Sequence, residues 1–121
     1  MTQGTFDLKK DNELIREYGK WILVRKALNL SSFGINMVDI PAGESIKEHD
    51  EVERDQEEVF FMVKGDAVMI IDGKEYEAPE GTFVRLDPDL KRNVKNNTNK
   101  TIRVMISSAP RTSGYQPMGW A

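Results

Sequence analysis

Apolar residues recur along the chain in short runs with a period near two, and turn-forming residues stand between the runs. Trp21-Ile22-Leu23-Val24 is rich in strand formers and is closed by the turn residues Asn29 to Ser32. From Phe33 to Ile40, Phe33, Ile35 and Met37 alternate with Gly34, Asn36 and Val38 until Pro41-Ala42-Gly43 stops the pattern. Val59-Phe60-Phe61-Met62-Val63 is too short and too rich in β-branched and aromatic residues for a helix. Lys64-Gly65-Asp66 turns the chain into Ala67 to Ile71, and Asp72-Gly73 is a hairpin signal leading to a return strand, Lys74 to Ala78. Further runs are Thr82 to Leu86, Arg92 to Lys95 and Thr101 to Ser107, divided by Asp87-Pro88-Asp89 and by Asn96 to Asn99. In the last run Ile102, Val104 and Ile106 share one face. Ahead of Trp21, the spacing of Leu14, Ile15 and Tyr18 after Asp11 or Asn12 fits either a short helix ended by Gly19 or an extended arm.

Eight or so strands with Gly, Pro and Asx turns predict an all-β sandwich or barrel, and jelly rolls of this size commonly enclose a pocket. The expected layout is one domain over residues 1–121: an arm or short helix at 1–20, a barrel at 21–108 and a tail at 109–121. Met37, Met62, Met69 and Met105 are expected in the core; Arg85 and Arg103, both in strands, either line a pocket for an anionic ligand or, as strand arginines more often do, point to solvent. Val59 to Val63 is apolar on both faces, which favours burial on both sides and predicts a homodimer with sheet-to-sheet packing. Tyr115 and Trp120 in the tail would cover the barrel or pack on the second copy.

Composition narrows the function classes. The 121 residues contain no cysteine, so disulfides, thiolate metal sites and cysteine nucleophiles are excluded. A net charge of −3, from 17 basic and 20 acidic residues, argues against nucleic acid as a partner, because binding phosphates needs a basic face. No apolar run approaches the roughly 18 residues of a membrane span. Charges throughout the first thirty residues leave no signal-peptide core, so a cytoplasmic location is expected.

Gly43, His49, Glu58 and Gly65, followed by Gly73, Pro79, Gly81, Pro88 and Asn96, stand at spacings by which the sequence resembles the cupin superfamily. Gly43, five residues, His49, then Glu58, six residues and Gly65 follow the first cupin motif, with Glu51 standing where a second histidine is expected. Gly73, Pro79, Gly81, Pro88 and Asn96 follow the second, with Arg92 at its histidine position. The resemblance implies a double-stranded β-helix, the jelly-roll barrel of cupins. In relatives with the full pattern, three histidines and the glutamate bind a divalent metal. His49 is the only histidine here, so a three-histidine site within one subunit is excluded by counting.

His49, Glu51 and Glu58 remain as candidate ligands for a divalent ion such as iron or manganese. Arg92 opposes one: at about 5 Å and an effective dielectric of roughly 20, a guanidinium and a dication repel by about 6 kcal/mol. The alternative is that Arg92 forks onto Glu58 or Glu51 and supplies the positive charge itself, with no cofactor. The expected pocket residues are His49, Glu51, Gln56, Glu58, Phe60, Met62 and Arg92, with Phe60 and Met62 sharing the face of Glu58. Lys47, Glu48, Asp50, Glu53 and Arg54 read as a solvated loop. Three functions fit. The first is a non-catalytic pocket for a small molecule, anionic if Arg92 meets it. The second is a metal-dependent dioxygenase, isomerase or decarboxylase using His49, Glu51 and Glu58. The third is metal-free acid–base catalysis with His49 as base, which lacks a tyrosine partner in the motif.

Overall fold

The computed structural model describes residues 4–121; residues 1–3 of the expected arm lie outside the described residues. Among the described residues nine strands form: β1 (Ile15–Glu17), β2 (Trp21–Leu23), β3 (Gly34–Ile40), β4 (Gln56–Lys64), β5 (Ala67–Ile71), β6 (Lys74–Ala78), β7 (Phe83–Leu86), β8 (Arg92–Lys95) and β9 (Ile102–Pro110). They make two antiparallel sheets, one ordered β1-β2-β3-β9-β4-β7 and one ordered β6-β5-β8. Residues 45–49 run along the free edge of β8 through the bridges Ser45↔Lys95 and His49↔Arg92, which extends the smaller sheet.

Period-two alternation decides which side chains enter the space between the sheets. From the larger sheet come Val38, Ile40, Phe60, Met62, Leu86, Ile102, Val104 and Ile106; from the smaller come Ala67, Met69, Ala78 and Val94. The second face of the larger sheet is less covered. Met37 and Met105 lie directly opposite each other on it, half-buried, while only Met62 and Met69 of the four methionines expected in the core are there. Phe33 to Ile40 is apolar on both faces, so alternation could not say that Val38 and Ile40, rather than Met37, face inward. Phe61 also lies outward and stacks on the exposed Phe83 at 4.2 Å.

The helical spacing near the N-terminus resolves into extended chain. Asp11–Glu13 is a single 3-10 turn, and Ile15–Glu17 pairs as an edge strand with β2. Tyr18, at φ 57°, and Gly19 turn the chain between them. The apolar run at 21–24 is split, because Val24 opens a one-turn helix, α1 (Val24–Ala27). The Asp72-Gly73 turn has φ 48° and 81°, the positive pair that a type I′ hairpin demands.

Asn96, fully buried, holds the far end of the barrel. Its Nδ2 donates to the carbonyls of Ile40 (2.9 Å) and Lys100 (2.6 Å), while its Oδ1 accepts from Thr98 N (2.9 Å) and Oγ1 (2.6 Å). The motif asparagine therefore ties the β8–β9 loop to β3 and is structural.

Candidate functional site

The opposite end of the barrel is polar because two inward-facing strand positions carry charge. Glu58 shares the inner face of β4 with Phe60 and Met62, and Arg92 shares that of β8 with Val94. A reciprocal backbone pair, His49 N to Arg92 O at 3.0 Å and Arg92 N to His49 O at 2.8 Å, sets His49 directly opposite Arg92. Antiparallel partners share a face, so backbone register brings histidine and arginine together. Glu51 follows in the loop, anchored by its N–H on Pro88 O at 2.9 Å.

Glu58 Oε1 lies 3.0 Å from Arg92 Nη1 and 3.5 Å from His49 Nε2. Arg92 is 0 % exposed; its Nη2 donates to Asp87 O at 2.5 Å and its Nε finds no protein acceptor. The guanidinium thus divides itself between a carboxylate and a carbonyl, and the expected two-bond fork onto one carboxylate is not made. Glu51 is held instead by Arg54, whose Nη2 reaches Oε2 at 2.6 Å and Oε1 at 2.7 Å while Nε reaches Oε2 at 3.2 Å. Arg54 belongs to the expected solvated loop and is exposed, yet three residues after Glu51 it closes a local fork. Its spacing from Glu51 was the one signal that could have marked it.

Hydrogen bonding to Glu58 raises the pKa of His49 above its ordinary value, aided by Lys47 O at 3.3 Å from Nδ1 and by the charge of Glu51, against the opposing effect of burial. Nδ1 faces the Lys47 carbonyl and Nε2 lies 3.5 Å from Glu58 and 3.7 Å from Glu51, surroundings that favour the protonated ring. A raised folded pKa stabilises the fold fully below the unfolded value near 6.5, and this contribution disappears as pH rises through the folded pKa. The stability difference between the natural protein and His49→Gln is therefore expected to be largest below pH 6.5 and to shrink above it in urea unfolding from acid to mildly alkaline pH. A difference independent of pH would contradict the imidazolium.

These groups line a cavity of about 460 Å³ together with Gln56, Trp21, Arg25, Asn36 and Ser108. Of the expected pocket residues, His49, Glu51, Gln56 and Glu58 reach it; Phe60 and Met62 lie deeper, at 0 % exposure in the apolar core, and Arg92 lies behind Glu58. Arg85 and Arg103 stay outside it, paired with Glu57 and Asp87 and with Asp39 and Asp11 respectively. The missed wall, Trp21 to Asn36, comes from the segment before the motif region and joins the site only because β3 pairs with β9 and β9 with β4.

One donor atom from each of His49, Glu51 and Glu58 can be chosen so that all three lie within 4.8 Å of one another, a group that could hold a metal ion. The two carboxylates are already matched, since each has its own guanidinium at 3.0 Å or less.

A family model described as Cupin domain matches residues 36–108. Among solved structures, a cupin protein from Bacteroides fragilis is similar over 96% of this chain and 93% of its own, at 18% identity and TM-score 0.78. A protein from Photorhabdus luminescens covers 92% of both chains at 16% identity and TM-score 0.67. A sugar phosphate isomerase from the cupin superfamily of Silicibacter pomeroyi matches 74% of this chain and 57% of its own, at 19% identity and TM-score 0.65. No functionally curated protein matches the chain. No helix among the described residues is long and apolar enough to cross a membrane. With the motif glycines and prolines at its turns and Glu58 and Arg92 facing inward at one end of the barrel, the chain belongs to the cupin family.

Proposed function

We propose that this cupin binds a small polar molecule in the His49–Glu58 cavity without a resident metal. One observation carries the reading: the position where the full motif has a metal-binding histidine holds Arg92, fully buried and 3.0 Å from Glu58. An arginine keeps its charge at any ordinary pH, so Arg92 cannot become a ligand and opposes a dication beside Glu58. Arg54 does the same for Glu51, though from an exposed position out of which it can swing. With these charges balanced, His49, Gln56 and the free faces of Glu51 and Glu58 act as hydrogen-bonding groups on a wall that Trp21 and Ile106 make partly apolar.

A metal-dependent enzyme is the second reading, favoured by the convergence of His49, Glu51 and Glu58. Elemental analysis separates the two. Protein purified without chelator is expected to carry far less than one equivalent of first-row metal and to show no thermal shift with manganese, iron, nickel or zinc ions. Near-stoichiometric metal that is lost in His49→Ala would replace the binding reading with the enzyme. A polyhydroxylated ligand is expected to raise the melting temperature of the natural protein, and Glu58→Gln to reduce that rise. The reading includes a second copy of the chain packed on the outer face of the larger sheet, where Phe61, Phe83, Met37 and Met105 lie outside the core.

A further inference from the structure

The chain has seven arginines, and six of them bridge a carboxylate. Arg25 is the exception: among the described residues its guanidinium meets no carboxylate, and its one side-chain bond runs from Nη1 to Leu30 O at 3.1 Å. The unpaired arginine lines the cavity that holds His49, Glu51 and Glu58, where the other lining arginine, Arg54, is already taken by Glu51. Its position is built. Leu30 N donates back to Arg25 O at 3.1 Å, so backbone and side chain together hold the guanidinium beside the loop that carries Ser31 and Ser32. The side chains of Ser31, Ser32, Asn36 and Ser108 line the same wall and make no hydrogen bond to another described protein group. Gly34, paired with Ser108 across β3 and β9, leaves room for that hydroxyl, because a Cβ there would come within 2.7 Å of Ser108 Oγ.

The cavity therefore has two chemically different walls. One is a pair of carboxylates, each matched by a guanidinium, with His49 beside them, suited to ligand hydroxyls. The other presents an unpaired cation with free hydroxyl and amide groups, the donor set that carboxylate and phosphate groups select. An anion at Arg25 is not repelled by the far wall, since Glu51 and Glu58 are neutralised by Arg54 and Arg92. We infer that the cavity takes a small polyhydroxylated anion, with its carboxylate or phosphate on Arg25, Ser31 and Ser32 and its hydroxyls toward Glu58, His49 and Gln56. The inference rests on the binding reading above and adds the charge and orientation of the ligand.

Calorimetric titration of the whole protein with glucose, gluconate, glucose 6-phosphate and inorganic phosphate tests it. At least one of the two anionic sugars is expected to bind about tenfold more tightly than glucose, the value of a charge-assisted contact. Whichever of gluconate and glucose 6-phosphate binds more tightly identifies the anion as carboxylate or phosphate. Arg25→Ala should bring that sugar to the affinity of glucose and leave glucose itself unchanged, while Arg25→Lys keeps part of the advantage. Arg25 is exposed, so an unchanged melting temperature is expected and shows that the fold is intact. Inorganic phosphate binding that disappears in Arg25→Ala would also support the subsite. Glucose binding that Glu58→Gln weakens, with no advantage for either anion, would overturn the Arg25 subsite and leave the binding role standing. Failure of all four probes at millimolar concentration would overturn both, as would an anion advantage untouched by Arg25→Ala for the subsite alone.

Discussion

Arg92→Met is expected to lower the unfolding free energy by about 3–5 kcal/mol, because it leaves the Glu58 carboxylate buried without its guanidinium. Glu58 is 5 % exposed, so the cavity offers it little water in place of the 3.0 Å charged partner, while Asp87 O loses its donor at the same time. His49, at 3.5 Å from the same oxygen, offers only partial compensation and only while protonated. Glu58→Leu combined with Arg92→Met is expected to recover most of the loss, since replacing both partners of a buried pair with apolar groups is often neutral. Urea unfolding of the natural protein, both single variants and the double variant completes the cycle. Losses that simply add would show that the pair is not coupled, and the account of Arg92 as the internal counter-charge of this site would fail.

Gly65→Ala is expected to cost about 3 kcal/mol, from backbone strain and overpacking together. Gly65 sits at φ 82° after the register shift near the end of β4, and a Cβ there would lie 2.5 Å from Ile102 Cγ2. Ile102 is 1 % exposed and packed in the core, so the contact cannot be relieved by a swing into solvent. Gly43 provides the control. Its φ of 78° is similar, but nothing lies within 4 Å of its Cβ position, and Gly43→Ala is expected to cost only about 1 kcal/mol. Equal losses at the two sites, measured by chemical unfolding, would remove the packing part of the explanation.

Local chemistry carried much of the fold. β5, β6 and β8 begin and end where alternation and turn residues place them, because an Asp-Gly or Pro-Glu-Gly turn interrupts a strand wherever it occurs. Where both faces of a run are apolar, local pattern has no way to choose between them. The run at 33–40 is such a case, and there Val38 fills the core while Met37 faces outward; in β9 the alternation of Ile102, Val104 and Ile106 already places Met105 on the outer face. At the N-terminus a single turn of helical spacing lost to pairing with β2, since an edge strand gains hydrogen bonds that an isolated short helix cannot match.

The site divides in the same way. His49, Glu51, Gln56 and Glu58 were legible as a polar group because they fall in one stretch, and alternation along β4 placed Glu58 on the face of Phe60 and Met62. Arg92 could be matched to the motif by spacing, yet its contact with Glu58 depended on bringing together strands far apart in sequence, while its bond to the Asp87 carbonyl and the capture of Glu51 by Arg54 are local and depended on how the loops fold. Arg25 showed no signal at all. It stands in an ordinary-looking segment, and its lack of a carboxylate partner appears only when the other six arginines are seen to have found theirs. Residue order alone thus determined the barrel, its turns and the identity of its polar residues, because those follow from period, backbone freedom and charge. Which charges neutralise one another, and which cation is left facing the cavity, was decided by tertiary structure, because ion pairing is a matter of a few ångströms between chain segments that only the closed barrel brings together.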